Sequence, residues 1–133
     1  MKINDVEGIG AVYAEKLIGI GINTTAALLK AGKTLKGRKE LAEKTGISAK
    51  LILEWINHAD LFRIKGVGSE YADLLEEAGV DTVPELGQRN AANLHAKMAE
   101  VNAEKKLVRR IPPQVTVEDW VKQAKELPRV IEY

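Results

Sequence analysis

Two glycine triplets, "GIG" at residues 8–10 and "GVG" at residues 66–68, are the parts of this sequence best suited to holding an anion. Two glycines around one apolar residue allow a tight bend, because glycine reaches backbone angles that other residues avoid. A helix that starts directly after such a bend leaves N–H groups without a partner, and these can receive a phosphate. The residues of the two bends and of the helix starts after them are Gly8, Ile9, Gly10, Ala11, Gly66, Val67, Gly68 and Ser69.

Two clusters of basic side chains are further candidates for phosphate contact. One crowds a predicted loop and the helix start that follows it, and the other ends the second half of the sequence. Each contact between a Lys or Arg and a phosphate adds a salt-dependent contribution to affinity. The predicted contacts are Lys33, Lys36, Arg38, Lys39, Lys105, Lys106, Arg109 and Arg110. The alternative is that these cations form an ordinary solvated face.

Residue types that carry catalysis are sparse and poorly spaced. His58 and His95 lack the spacing of a metal-binding pair, and the sequence contains no Cys. The only serines, Ser48 and Ser69, suit a helix cap and a bend better than a nucleophile. The acidic residues are spread along predicted helices, whereas a metal-dependent nuclease needs several carboxylates at one cation. We therefore predict no catalytic residue, no metal site and no cofactor, in a protein that is not an enzyme.

The two triplets are parts of an internal duplication. Five positions recur 58 residues later: Gly8, Gly10, Tyr13, Ala14 and Leu17 match Gly66, Gly68, Tyr71, Ala72 and Leu75. Helical periodicity runs through both copies, and strand signals are weak. The sequence therefore predicts an all-α fold, in which two pseudo-repeated halves form one compact domain. The first half covers residues 1–60, the second covers residues 61–111, and a C-terminal helical extension over residues 112–133 packs back on them.

The helix after the first triplet should bury one apolar stripe. Its spacing puts Val12, Ala14, Leu17 and Ile18 on the buried side. The stretch "AGKTLKG" at residues 31–37 is predicted to be a loop, because it combines two glycines with polar residues.

The second half should contain two long helices and the extension a third. We predict helices over residues 91–100 and 103–110, with Asn102 as the cap between them. Thr116 and Asp119 have the spacing of a capping box, which would open the last helix.

Each triplet with its following helix resembles the helix-hairpin-helix motif, in "GIGAVYA" and in "GVGSEYA". The resemblance implies that Ala14 and Ala72 let two helices approach closely. It also implies that the amides at the two bends, in residues 8–11 and 66–69, bind the phosphates of a DNA backbone without sequence preference. Hairpins that bind DNA often carry Lys or Arg just after the second glycine. This sequence has Ala11 and Val12 in the first copy, and an acidic Glu70 in the second.

Nearly the whole chain resembles an uncharacterised bacterial family of tandem helix-hairpin-helix proteins, some of them labelled flap-endonuclease-like. The resemblance is carried by "GIGAVYAEKL", "LAEKTGI", "ADLFRIKGVGSEYADLLEEAGVDTV" and "KLVRRIPP". A second resemblance covers residues 40–57, which are similar to a bacterial helix-turn-helix with its recognition helix from Ser48. Its outward residues would be Ser48, Ala49, Lys50, Leu53, Glu54 and Asn57. With one Lys and no Arg, this is a poor set for reading bases.

Bulk composition limits the choice between functions. The 133 residues hold 20 Lys and Arg against 19 Asp and Glu, so no strong field attracts nucleic acid. Apolar runs are too short for a membrane span, and we expect a cytoplasmic protein without a membrane partner. Our leading hypothesis is a non-catalytic module that binds double-stranded or structured DNA weakly and without sequence specificity. The alternative is a protein-interaction or scaffold module of the same fold, and a nuclease is a third possibility.

Overall fold

The computed structural model describes residues 1–6 and 8–133, and in this part of the chain the regular elements are helices. The prediction of an all-α fold is confirmed. The chain divides into two compact units, one of residues 1–60 with 130–133 and the other of residues 61–129. None of the helices in the described residues combines the length and the apolar character that crossing a membrane requires.

The first unit begins with a short 3₁₀ turn, Ile3–Asp5. Its α-helices are α1 (Ala11–Gly19), α2 (Thr25–Gly32), α3 (Leu35–Thr45) and α4 (Ala49–Leu61), the last of which ends one residue beyond the unit. The most deeply buried apolar side chains of this unit are Ile3, Leu17, Leu28, Ile52 and Ile56.

The buried stripe of α1 is narrower than predicted. Ala14 and Leu17 are buried, but Val12 is 67% exposed and Ile18 is 40% exposed. Successive residues of an α-helix turn by roughly 100°, so Val12 lies almost opposite Ala14. The prediction for Val12 and Ile18 was wrong because only one edge of this nine-residue helix meets the core.

The predicted loop over residues 31–37 is also wrong, since it shrinks to two residues between α2 and α3. The reason is an N-cap of α3 that the sequence analysis did not predict. The Thr34 hydroxyl accepts a hydrogen bond from the Gly37 amide at 3.0 Å, which starts α3 at Leu35.

The second unit contains α5 (Ser69–Glu77), α6 (Val83–Gly87), α7 (Ala91–Lys105) and α8 (Gln114–Glu126). Helix α8 packs against α6 and α7, and α5 packs against α7. The core of this unit includes Leu74, Leu86, Leu94, Met98 and Trp120, each exposed by 1% or less.

Two helix boundaries of the second unit differ from the predictions. Residues 91–105 form one helix, and Asn102 closes its end. The Asn102 side chain accepts from the Val108 amide at 2.9 Å and donates to the Val108 carbonyl at 3.0 Å. Helix α8 starts at Gln114, after an N-cap at Pro113 with φ −59°. Since proline already has the φ of a helix start, no capping box at Thr116 is needed.

Candidate nucleic-acid interface

The two glycine triplets form bends of matching backbone geometry, one in each unit. Gly8 has φ +88° and Gly66 has φ +97°, values that favour glycine. The amides of Ile9 and Val67 each donate to the carbonyl three residues earlier, at 3.3 and 3.2 Å. Both side chains are buried, with 6% and 5% exposed. Each bend is thus fixed by one backbone bond and one apolar side chain.

Each bend leads directly into a helix. Gly10 and Gly68 are the N-cap residues of α1 and α5, and as glycines they have no side chain that could cap these helices. The first helical bonds run from Ala14 to the Gly10 carbonyl and from Ala72 to the Gly68 carbonyl, both at 2.9 Å. Among the described residues, the amides of residues 11–13 therefore meet no acceptor. Such amides lie at the positive end of the helix dipole and can receive an anion.

An aromatic pair lies beside the helix start in each unit. Tyr13 of α1 contacts Trp55, and Tyr71 of α5 contacts Trp120, with ring centroids 5.3 Å apart in both pairs. In the second unit, a Cβ atom at Gly66 would lie 3.0 Å from the Trp120 indole nitrogen. Sequence reasoning missed these pairs, because the two tryptophans do not recur at the offset of the duplication.

The surroundings of the first bend are mainly apolar. A groove of about 430 Å³ runs beside it, lined by Asn4, Ile9, Ala11, Ala14, Glu15 and Ile18. Lys33, Lys36 and Lys39 are exposed, but they do not line this groove. The structure therefore does not bring the first basic cluster to the groove at the first bend.

Arg38 is not an exposed cation. Its side chain is only 3% exposed, and its guanidinium donates to the carbonyls of Gly32 and Glu132, both at 2.9 Å. The ring of Tyr133 lies 5.8 Å from the guanidinium carbon. Arg38 lies inside α3 and is unavailable to a phosphate in this structure.

The first turn of α5 has a different neighbourhood, because two predicted cations line a groove with it, although none of residues 66–69 lines that groove. Glu70, in the first turn of α5, lines a groove of about 490 Å³ together with Lys106 and Arg109. The remaining lining residues are Asn102, Ala103, Leu107 and Val108. Two cations against one carboxylate make this groove locally basic, whereas the sequence next to the second bend shows the acidic Glu70.

Lys106 adopts an unusual backbone conformation. Its φ of +52° makes it the one non-glycine residue with positive φ in the described part of the chain. It is the C-cap of α7, where its amide donates to the Asn102 carbonyl at 2.8 Å. Glycine is usual in a left-handed position at a helix end, and another residue there costs about 1–2 kcal/mol. Strain of this kind is concentrated at functional sites.

The other two residues of the second basic cluster are arranged differently. Lys105 forms an ion pair with Glu77, and the pKa of Lys105 is raised by that hydrogen bond and, second, by the Glu77 charge. Its charge is therefore already compensated. The Arg110 side chain is exposed, while its carbonyl accepts from the Tyr71 hydroxyl at 3.4 Å.

The helix-turn-helix alternative gains little from the structure. Helices α3 and α4 are joined through Gly46 at φ +72°, as a turn between two helices requires. However, the Asn57 amide oxygen accepts from the Tyr133 hydroxyl at 3.0 Å, which occupies one of the expected base-reading side chains. Lys50 is then the one cation on the outward face of α4.

Comparison with known sequences places the chain in a family. The profile of a family described as "Domain of unknown function (DUF4332)" matches residues 7–127, and the chain belongs to that family. No curated protein and no solved structure matches the chain.

Proposed function

We propose that this member of the DUF4332 family is a non-catalytic module that binds DNA through its phosphates, weakly and without sequence specificity. In this proposal the two bends are helix-hairpin-helix motifs that arose by duplication. The matching φ angles at Gly8 and Gly66 and the matching hydrogen bonds at Gly10 and Gly68 support the assignment.

The groove beside the first turn of α5 is the observation that carries the proposal. It is lined by Glu70, Lys106 and Arg109, among others. A phosphate in this groove would meet two cations, which outnumber the single carboxylate of Glu70. A residue held in a strained conformation at such a place is consistent with selection for its charge rather than for stability.

Fluorescence anisotropy with labelled duplexes tests the proposal. We expect the intact chain to bind two unrelated duplex sequences with similar affinity, which falls as salt rises from about 50 mM to about 200 mM. Replacing both Lys106 and Arg109 by Gln should reduce the slope of log K against log salt by about 2, since each lost phosphate contact removes about 0.9.

Lys97→Gln is the matched control, because Lys97 is an exposed lysine of α7 that does not line the groove. It should leave the slope unchanged. Absence of binding at low salt would contradict the proposal. An equal decrease of the salt slope in the control and in the double variant would show that the groove is not where the phosphate binds. Cleavage of the duplex in a parallel magnesium arm would favour a nuclease instead.

A second candidate function rests on the first bend. Val12 and Ile18 are exposed apolar side chains on α1, and Ile18 also lines the groove that contains Ala11 and Ala14. An apolar surface of this kind is typical of a protein-interaction site rather than of a phosphate site. The first unit would then bind a protein partner.

Ala11→Lys separates the two candidates at the first bend. It supplies the cation that DNA-binding hairpins often carry after the second glycine, at an exposed position. If the first bend touches phosphate, the salt slope measured by anisotropy should steepen by about 1. An unchanged slope would assign this bend to a protein partner. Ala11→Gln serves as the uncharged control of similar length.

A further inference from the structure

The last four residues of the sequence are held in the first unit like a bound peptide. The Glu132 amide donates to the Lys33 carbonyl at 2.7 Å, and the Glu132 carbonyl accepts from Arg38 at 2.9 Å. Both backbone polar groups of this residue are therefore bound, while its side chain is exposed. Recognition at residue 132 depends on the backbone and not on the side chain.

The residues on either side of Glu132 are bound through their side chains. Ile131 is 2% exposed, so its side chain is enclosed by the unit. Tyr133 is 60% exposed, and its side chain is held at two points: its hydroxyl donates to the Asn57 side chain at 3.0 Å, and its ring centroid lies 5.8 Å from the Arg38 guanidinium carbon. An arginine near an aromatic ring adds a cation–π attraction. The contacts thus select an aliphatic residue, any residue and an aromatic residue in succession.

Arg38 is the central group of this site. It is buried, and among the described residues its guanidinium meets the carbonyls of Gly32 and Glu132 and the Tyr133 ring. Without residues 130–133, two of these three partners are lost and the guanidinium keeps the Gly32 carbonyl. Because hydrogen bonds to a charged donor are stronger than neutral ones, the emptied site favours another peptide that supplies a carbonyl and a ring.

We propose that the first unit has a binding site for an extended peptide of the pattern aliphatic–any–aromatic, and that residues 130–133 occupy it in cis. The partner is a segment of this chemistry in another chain, including a second copy of this one. Because a tethered segment has an effective concentration in the millimolar range, a peptide in trans binds well only when the resident segment is released.

Peptide binding to a chain without the resident segment tests the proposal. The probe is a labelled, carboxyl-amidated peptide with the sequence of residues 127–133. We expect saturable binding to a variant that lacks residues 130–133, and binding at least about tenfold weaker to the intact chain. Peptides with Ile131→Ser or Tyr133→Ala should bind at least about tenfold more weakly, whereas Glu132→Ala should change the affinity by less than about twofold.

A second variant covers the possibility that the shortened chain does not fold. The full-length double variant Ile131→Ser, Tyr133→Ala releases the segment but keeps its length, and it should bind the same probe. Folding is checked by helix content and by a cooperative melt. Lack of binding to a folded variant overturns the proposal. Failure of both variants to fold also overturns it, because the segment is then part of the core and not a separable ligand.

Discussion

The backbone conformation and the neighbours of Lys106 could not be predicted from its residue type. In the sequence it is one of four clustered cations. The structure shows that its backbone is left-handed and that it lines the same groove as Glu70. Arg38 is the opposite case, a predicted surface cation that is buried. Its partner Glu132 lies 94 residues away, and no local pattern connects two residues at such a separation.

At this scale we predict that Lys106→Gly makes the folded chain more stable and lowers its affinity for DNA. Glycine relieves the positive φ, so the free energy of unfolding should rise by about 1 kcal/mol, measured by urea denaturation. Lys97→Gly is the matched control, since the same change inside α7 should lower the free energy of unfolding by about 1 kcal/mol. Equal destabilisation by both changes would contradict the strain assigned to Lys106.

At the scale of elements, the helices were predicted well where one strong signal defines each end. The helices after Gly10 and Gly68 start as expected, and Ser48 caps α4 by accepting from the Leu51 amide at 3.2 Å. The predicted helix boundaries were wrong where one residue suited two different positions at a helix end. Asn102 suits the start of one helix or the end of another, and its bonds to Val108 decide for the end.

The two bends should respond differently to the same substitution. Both Gly8 and Gly66 have positive φ, so alanine at either position should destabilise the fold by about 1–2 kcal/mol. At Gly8 the added Cβ meets nothing within 4 Å, but at Gly66 it meets the Trp120 indole nitrogen at 3.0 Å. Urea denaturation should therefore show the larger loss for Gly66→Ala. An equal loss at both positions would argue against a tight contact between Trp120 and the second bend.

At the scale of the whole molecule, charge is balanced and any attraction to DNA is local. With 20 basic and 19 acidic residues, the chain has no long-range field to steer a polyanion. The periodicity of the sequence correctly predicts an all-helical fold, because apolar residues recur at helical spacing. It could not reveal the groove that Glu70 shares with Lys106 and Arg109, because these residues are distant in sequence. The apolar groove lies within residues 4–18, but it includes Ile18, which the apolar spacing had placed on the buried side of α1.

The aromatic pairs have a practical consequence. The sequence holds two tryptophans, and each unit contains one of them beside a tyrosine. Replacing either tryptophan by phenylalanine would leave a chain with a single indole emitter in a known unit. The intrinsic fluorescence of each such chain would report separately on one bend as a ligand is titrated.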